Sequence, residues 1–278
     1  MKITVITIGL NACEGLRKTL ESINAQTLRD FEHVIVDGGS TDGSIEVIQT
    51  VALRNPKWVS EPDQGIADAL NKGTRLATGD YLCYLNAGDA FASATILEEV
   101  TAFLAAHSTS RSAVVYSDFL VPVDDEIRRV PTSARVEGFA WTNPLNHQST
   151  FIPRDLALAH PYSERLALGM DYDFWLRIHP KVEFLKFDQP IAVFALGGRS
   201  SSKSWQLHNL IVRRVLWHIN RGTRMDGRDL FLLAVKGAII AVRETLRGLL
   251  GKPVRNSLRQ WRIRRTEFVA SPKPATIP

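Results

Sequence analysis

The sequence predicts an α/β fold, with a mixed, mostly parallel sheet flanked by helices and a basic, amphipathic helical region at its C-terminal end. Three observations carry this reading. Short β-branched runs alternate with amphipathic stretches across the first hundred residues, the pattern of βαβ units. Those runs end in polar segments, most of them bearing glycine. From about Trp205 onward the composition shifts to arginine, leucine and tryptophan. With 278 residues, 45% of them hydrophobic and 23% charged, the chain can build one large domain and an appendage.

Residues 3–8 read as the first strand, an apolar run that turns polar by Asn11, too early for a secretory or spanning segment. A helix is expected over 14–25, where Leu16, Leu20 and Ile23 recur at helical spacing. Strands at 33–37, 58–60 and 80–86 alternate with helices at 43–53 and 65–77, and a further helix covers 95–107. A right-handed, doubly wound sheet is the topology that follows. Beyond this point the alternation weakens. Residues 113–118 read as a strand, 119–130 as a hairpin around the acidic turn Asp124 and Asp125, 171–179 as a short helix and 182–187 as a strand; 131–170 are rich in proline and turn residues.

Two helical patterns follow, at 209–220 and 230–250. In the second, Lys236, Arg243 and Arg247 fall on one side while Leu232, Leu233, Ile239 and Leu246 spread over the rest. Lys236 and Arg243 also interrupt the most apolar stretch, so no segment reaches the about 18 apolar residues that spanning requires. The expected division is a catalytic domain at 1–205 and a basic helical extension at 206–278.

Net charge is +5, but residues 213–265 hold 14 Lys and Arg against 3 Asp and Glu, so the rest of the chain is acidic. This argues against a nucleic-acid partner, as does the lack of any nucleic-acid motif. The apolar and basic tail fits peripheral contact with anionic lipid or packing on the protein itself. Cys13 and Cys83 lie far apart with no CxxC pair, as expected of free thiols in a reducing cytoplasm.

In a doubly wound sheet, ligands bind at the carboxyl ends of the strands. Strand one ends in a segment holding Thr7 and Asn11, and strand two in IVDGGSTDG, with Asp37 able to accept from a base N–H and Thr41 or Asp42 able to cap the next helix. Strand three ends in SEPDQGIADALNKG, where Asp68 and Lys72 lie one turn apart and can pair, or Lys72 can reach a phosphate. Strand four ends in YLNAGDA, where Asn86 and Asp89 follow an apolar run and Asp89 can hold a hard cation. Later, ALGMDYDFWLRIHP offers Asp171 and Asp173 at a helix start, where they point in different directions and only one faces a cleft.

These segments together resemble glycosyltransferase family 2 over about residues 1–200. SEPDQGIADALNKG is similar to the wording of members that assemble O-antigens, capsules and exopolysaccharides. The resemblance implies a GT-A fold and an inverting, metal-dependent transfer from a nucleoside-diphosphate sugar to a glycan or lipid-linked acceptor; the thiols and the basic tail set the expected place as the cytoplasm, or the inner face of the cytoplasmic membrane. It implies nucleobase contact by Asp37, Mg²⁺ or Mn²⁺ on Asp89 and Asp171 as base. Many members carry acids where this chain has Asn86 and Gly88, and a Glu where it has Met170. His147 and Gln148, in a His-Gln segment before a core strand, reach the diphosphate or the acceptor, or the histidine is structural. A sugar-1-phosphate nucleotidyltransferase is the alternative enzyme, but the glycine-rich, basic loop it needs after strand one is missing from ITIGLNACEGLRKT.

Overall fold

The computed structural model describes residues 1–53, 55–107, 113–123, 126–196 and 206–249. The turn at 124–125, the composition boundary at Trp205 and the basic residues from 250 onward lie outside the described residues. The chain divides into two compact units, Met1–Arg224 and a second from Met225 onward.

In the first unit β1 (Ile3–Gly9), β2 (Glu32–Asp37), β3 (Lys57–Ser60) and β4 (Tyr81–Tyr84) alternate with α1 (Cys13–Asn24), α2 (Ser44–Val51) and α3 (Ile66–Leu76). The strands pair in parallel in the order β4-β1-β2-β3. Ile6 and Ile8 of β1 face one core with Val34, Val36 and Leu70; Ile3 and Val5 face another with Ile23 and Leu97. Burial on both faces is what the continuous apolar runs of parallel strands require. α3 comes so close to the sheet that a Cβ on Gly73 would run into Ile6 Cγ2.

Past β4 the order turns mixed. β5 (Ala90–Phe91), α4 (Ile96–His107) and β6 (Val114–Tyr116) lead to the expected hairpin, β7 (Phe119–Val123) and β8 (Glu126–Val130). After α5 (Val136–Phe139), a 3-10 turn at His147–Ser149 opens into β9 (Thr150–Pro153), which runs antiparallel between β4 and β6. α6 (Arg154–Ala159), α7 (Met170–Ile178) and β10 (Phe184–Lys186) follow, completing a seven-stranded sheet in the order β10-β6-β9-β4-β1-β2-β3. β5, β11 (Ala192–Val193), β7 and β8 form a four-stranded sheet.

α7 buries Met170, Phe174, Trp175 and Ile178. At about 1.5–3 kcal/mol for each fully buried side chain, this burial fixes where the helix starts. α8 (Gln206–Arg221) packs on α7, with Val212 and Leu216 over Gly169 and Asn220 donating to Asp173 Oδ1 at 3.3 Å. The composition changes near 205, but the division into units falls later, and α8 belongs to the first unit.

In the second unit, α9 (Gly227–Leu249) exposes Phe231, Val235, Ile239 and Val242 at helical spacing. Leu232 and Leu233 are half-buried, so the exposed apolar side is rotated from the one the sequence pattern suggested; the side chains of Arg243, Leu246 and Arg247 lie outside the described residues. Among the described residues no helix is long and apolar enough to cross a membrane.

Candidate functional site

The carboxyl ends of the parallel strands form one rim. Gly9 pairs with Asp37 and Asp37 with Ser60, while the Ala87 N–H donates to Ile8 O at 2.9 Å. After β4 the chain turns over Asn86 to Asp89. Buried Thr19 of α1 clasps this turn, its hydroxyl donating to Asp89 O at 2.6 Å and lying 3.0 Å from the donating Gly88 N–H.

The Asp89 carboxylate is thereby held inside. Oδ1 accepts the Ala195 N–H and Oδ2 the Gln148 amide, each at 2.9 Å. Burial pushes its pKa above the usual carboxylate value, and these hydrogen bonds offset that only in part. Each oxygen keeps a free lone pair, and the neighbouring Asn86 Oδ1 is buried with no hydrogen-bond partner among the described residues. Hard oxygens with spare capacity suit Mg²⁺ or Mn²⁺, ions that complete their shell with phosphate and water. Among the described residues no cluster of three or more His, Cys, Asp or Glu occurs, so most of the ligand shell would come from those two sources.

Gln148 shares its 3-10 turn with His147. The His147 Nε2 meets Asn86 Nδ2 at 3.1 Å, and Nδ1 lies 3.9 Å from Asp171 Oδ2, too far for a hydrogen bond but close enough for a charge to be felt. Asp171 stands in the first turn of α7, 23% exposed. Its Oδ1 accepts the Tyr172 N–H at 2.8 Å and its Oδ2 the Asn143 amide at 2.6 Å. Burial opposes ionisation, but His147, the Tyr172 N–H and the Arg213 guanidinium outweigh it and hold the carboxyl below its usual range. Asp173 is engaged elsewhere, by Arg177 Nε at 2.8 Å and by Asn220. Of the two carboxylates, Asp171 is the one joined to the rim.

On the opposite side of the rim, Asp37 is buried and spends its carboxylate on its own loop. It accepts the Gly39 and Ser40 N–H groups at 3.1 and 2.9 Å and the Ser60 hydroxyl at 2.6 Å. Burial opposes its ionisation too, yet the Ser40 and Ser60 hydrogen bonds keep its pKa low. Asn11, in a left-handed conformation with φ 48°, accepts the Thr41 N–H at 2.9 Å and so zips the first two loops together. A Cβ on Gly38 would lie 2.5 Å from Asp63 Oδ2, so glycine there lets the loop after β3 close over the loop after β2. Asp42 takes the capping part, accepting the Ser44 and Cys13 N–H groups at 3.1 and 2.9 Å.

Lys72 pairs with Glu61 at 2.9 Å and Asp68 at 3.2 Å and donates to Pro62 O at 3.1 Å, while Asp68 also accepts the Gln64 N–H at 3.0 Å. The pairing open to Lys72 in the sequence is thus formed, and it braces the loop after β3. Thr7 differs from expectation: its side chain is fully buried and its hydroxyl lies 3.1 Å from His33 Nε2, inside the sheet and away from the rim. Sequence reading also missed Thr19, Asn143, Ala195 and Arg213. None carries a local signal, since each reaches the site only through the fold.

A family model described as Glycosyl transferase family 2 matches residues 4–157. A Mycobacterium bovis protein named PGL/p-HBAD biosynthesis glycosyltransferase is 33% identical over 178 residues, 63% of this chain and 68% of the relative. Among solved structures, S. aureus TarS 1–349 in complex with UDP-GlcNAc superposes with a TM-score of 0.61 at 18% identity, over 78% of this chain and 66% of that one, just under two-thirds of its length. The mannosyltransferase PcManGT from Pyrobaculum calidifontis, in complex with GDP-Man and Mn²⁺, does so at 0.60 and 18% identity, over 98% of this chain and 81% of that one.

Proposed function

The chain belongs to glycosyl transferase family 2, and on that premise we propose that it moves a sugar from a nucleoside-diphosphate donor to a hydroxyl of a glycan or lipid-linked acceptor, inverting the anomeric carbon. The fold is the expected GT-A architecture. The observation that carries the proposal is that one 3-10 turn serves both ends of the reaction: Gln148 holds Asp89, and His147, its neighbour, faces Asp171.

Asp171 removes the proton from the acceptor hydroxyl as the oxygen attacks the anomeric carbon, because an alcohol is a weak nucleophile. The bond to the diphosphate breaks, the nucleoside diphosphate leaves with the electron pair, and no covalent enzyme intermediate is needed. Asn143, His147 and the Tyr172 N–H keep the carboxylate ionised and oriented for this step. Asp89 and Asn86 would hold a divalent cation, which when bound neutralises charge developing on the leaving diphosphate. The TarS and PcManGT complexes, with UDP-GlcNAc and with GDP-Man and Mn²⁺, support this donor class. The loops around Asp37, Asn11, Ser60 and Gly38 receive the nucleoside, with Asp37 acting through the loop it organises. Lys72 and Asp68 shape the adjoining loop, and α9 lies at an anionic lipid surface.

Calorimetry with UDP-, GDP- and dTDP-sugars, with and without Mn²⁺, tests the reading. One donor class is expected to bind, and to bind more tightly with Mn²⁺; binding by none of them would contradict it.

A further inference from the structure

Asp63 stands in the loop after β3, and its neighbours on both sides are held. The Glu61 N–H donates to Asp37 O at 3.0 Å, Lys72 donates to Pro62 O at 3.1 Å, and the Gln64 N–H donates to Asp68 Oδ2 at 3.0 Å. The Oδ1 of Asp63 accepts the Gly65 N–H at 2.9 Å, which fixes the side chain. Oδ2 then lies against Gly38 of the loop after β2, 2.5 Å from where a Cβ would stand, and among the described residues no donor reaches it. Leu10 Cβ lies 3.3 Å from the same point. Gly38 therefore leaves bare backbone between a carboxylate and an apolar side chain that is 51% exposed.

Asp37 offers no comparable oxygen. It is buried, with Oδ2 accepting the Gly39 and Ser40 N–H groups and the Ser60 hydroxyl, and Oδ1 accepting the Ser40 hydroxyl at 2.5 Å. Asp37 shapes its loop, whereas Asp63 presents a fixed, half-buried acceptor with lone pairs to spare at the rim. An apolar platform with an acceptor beside it matches a nucleobase, which has a flat face and a polar edge. It does not match the diphosphate, which a carboxylate repels.

Resting on the reading of a nucleoside-diphosphate donor, we propose that Asp63 reads the nucleobase, its Oδ2 accepting the ring N–H of uracil, thymine or guanine while the base lies along Gly38 and Leu10. Uracil and thymine carry that proton on N3 and guanine carries it on N1. Cytosine N3 and adenine N1 carry a lone pair there instead, which would face the carboxylate with no proton between them. Asp63 thus selects both by a charge-assisted hydrogen bond to the right base and by repulsion of the wrong one.

The test titrates UDP, dTDP, GDP, CDP and ADP, each with Mn²⁺, into wild type, Asp63→Asn, Asp63→Ala and Asp37→Asn. Wild type should bind at least one of UDP, dTDP and GDP about tenfold or more tightly than CDP and ADP. Asp63→Asn can keep the bond to the Gly65 N–H and adds a donor at the base edge, so this gap should shrink by about tenfold at an unchanged melting temperature. Asp63→Ala, with neither acceptor nor repulsion, should close the gap as well. Asp37→Asn should weaken all five alike, because it loosens the loop without facing the base. The proposal alone is overturned if wild type favours CDP or ADP, if the gap persists in both Asp63 variants, or if only Asp37→Asn closes it. Binding of none of the five by folded wild type would overturn it together with the donor reading.

Discussion

The Gln148 amide donates to Asp89 Oδ2 at 2.9 Å, so the carboxylate proposed to hold a cation is oriented by a residue 59 positions away in the chain. Supporting partners of this kind typically contribute about 10- to 100-fold to metal affinity. Gln148→Ala should weaken Mn²⁺-dependent nucleotide binding by about that factor, and Asp89→Asn by at least as much. Metal-free nucleotide binding should stay unchanged in both. Calorimetry with and without Mn²⁺ checks this, and equal Mn²⁺-dependent affinity in Asp89→Asn and wild type would remove Asp89 from the cation site.

The sequence made β1 to β4 and α1 to α4 legible because apolar periodicity switches cleanly between strand and helix there. Asp89 stands out in the sequence because it follows an apolar strand at a polar turn, and Asp171 because it opens a helix in a string resembling a family motif; the turn after β4 and the start of α7 lie where those patterns put them. β9 shows no periodicity of its own among the prolines and turns of 131–170, and its antiparallel direction is set by pairing with β4 and β6. β5 and β11, of two residues each, are too short to show a pattern. Thr7 belongs to the segment that ends strand one, yet strand alternation puts its side chain on the face of Ile3 and Val5, where it is buried. Arg213 and Asn143 become site residues only when α8 and the 140–143 segment are brought to α7.

His33 is fully enclosed, and burial depresses its pKa from 6.5 to about 3. The unfolded chain takes up a proton near pH 6.5 and the folded one only near 3, so stability is fully present above pH 6.5 and falls as the pH drops towards 3. Between pH 6.5 and 5 this costs about 2 kcal/mol. Urea denaturation at pH 7 and pH 5 should show wild type losing that much more than His33→Gln. Equal losses in the two proteins would mean that His33 does not stay neutral in the fold.

The exposed side of α9 carries Phe231, Val235, Ile239 and Val242, and Arg228 is exposed at its start. Each basic residue near anionic lipid contributes about 1 kcal/mol, and insertion of the apolar stripe adds to it. Full-length protein should sediment with anionic vesicles and much less with neutral ones, and Phe231→Ser with Ile239→Ser should release it. Binding without lipid preference, or unchanged in the double variant, would assign this face to a protein contact.

Asp171 and Asp173 share one turn of α7 but serve different groups, and of the two only Asp171 is proposed to act on the acceptor. Asp173→Asn weakens a tie to Arg177 and Asn220, so it should lower stability by about 1 kcal/mol and leave the transfer step nearly intact. Asp171→Asn keeps the shape and the donor site but removes the base, a loss typically worth about 10²–10⁴ in rate. The direct measurement is single-turnover sugar transfer by wild type, Asp171→Asn and Asp173→Asn, at saturating donor and Mn²⁺, with donor affinity measured alongside. Asp171→Asn should lose about 10²-fold or more at unchanged donor affinity; wild-type transfer by Asp171→Asn, or an inactive but folded Asp173→Asn, would mean that Asp171 is not the base.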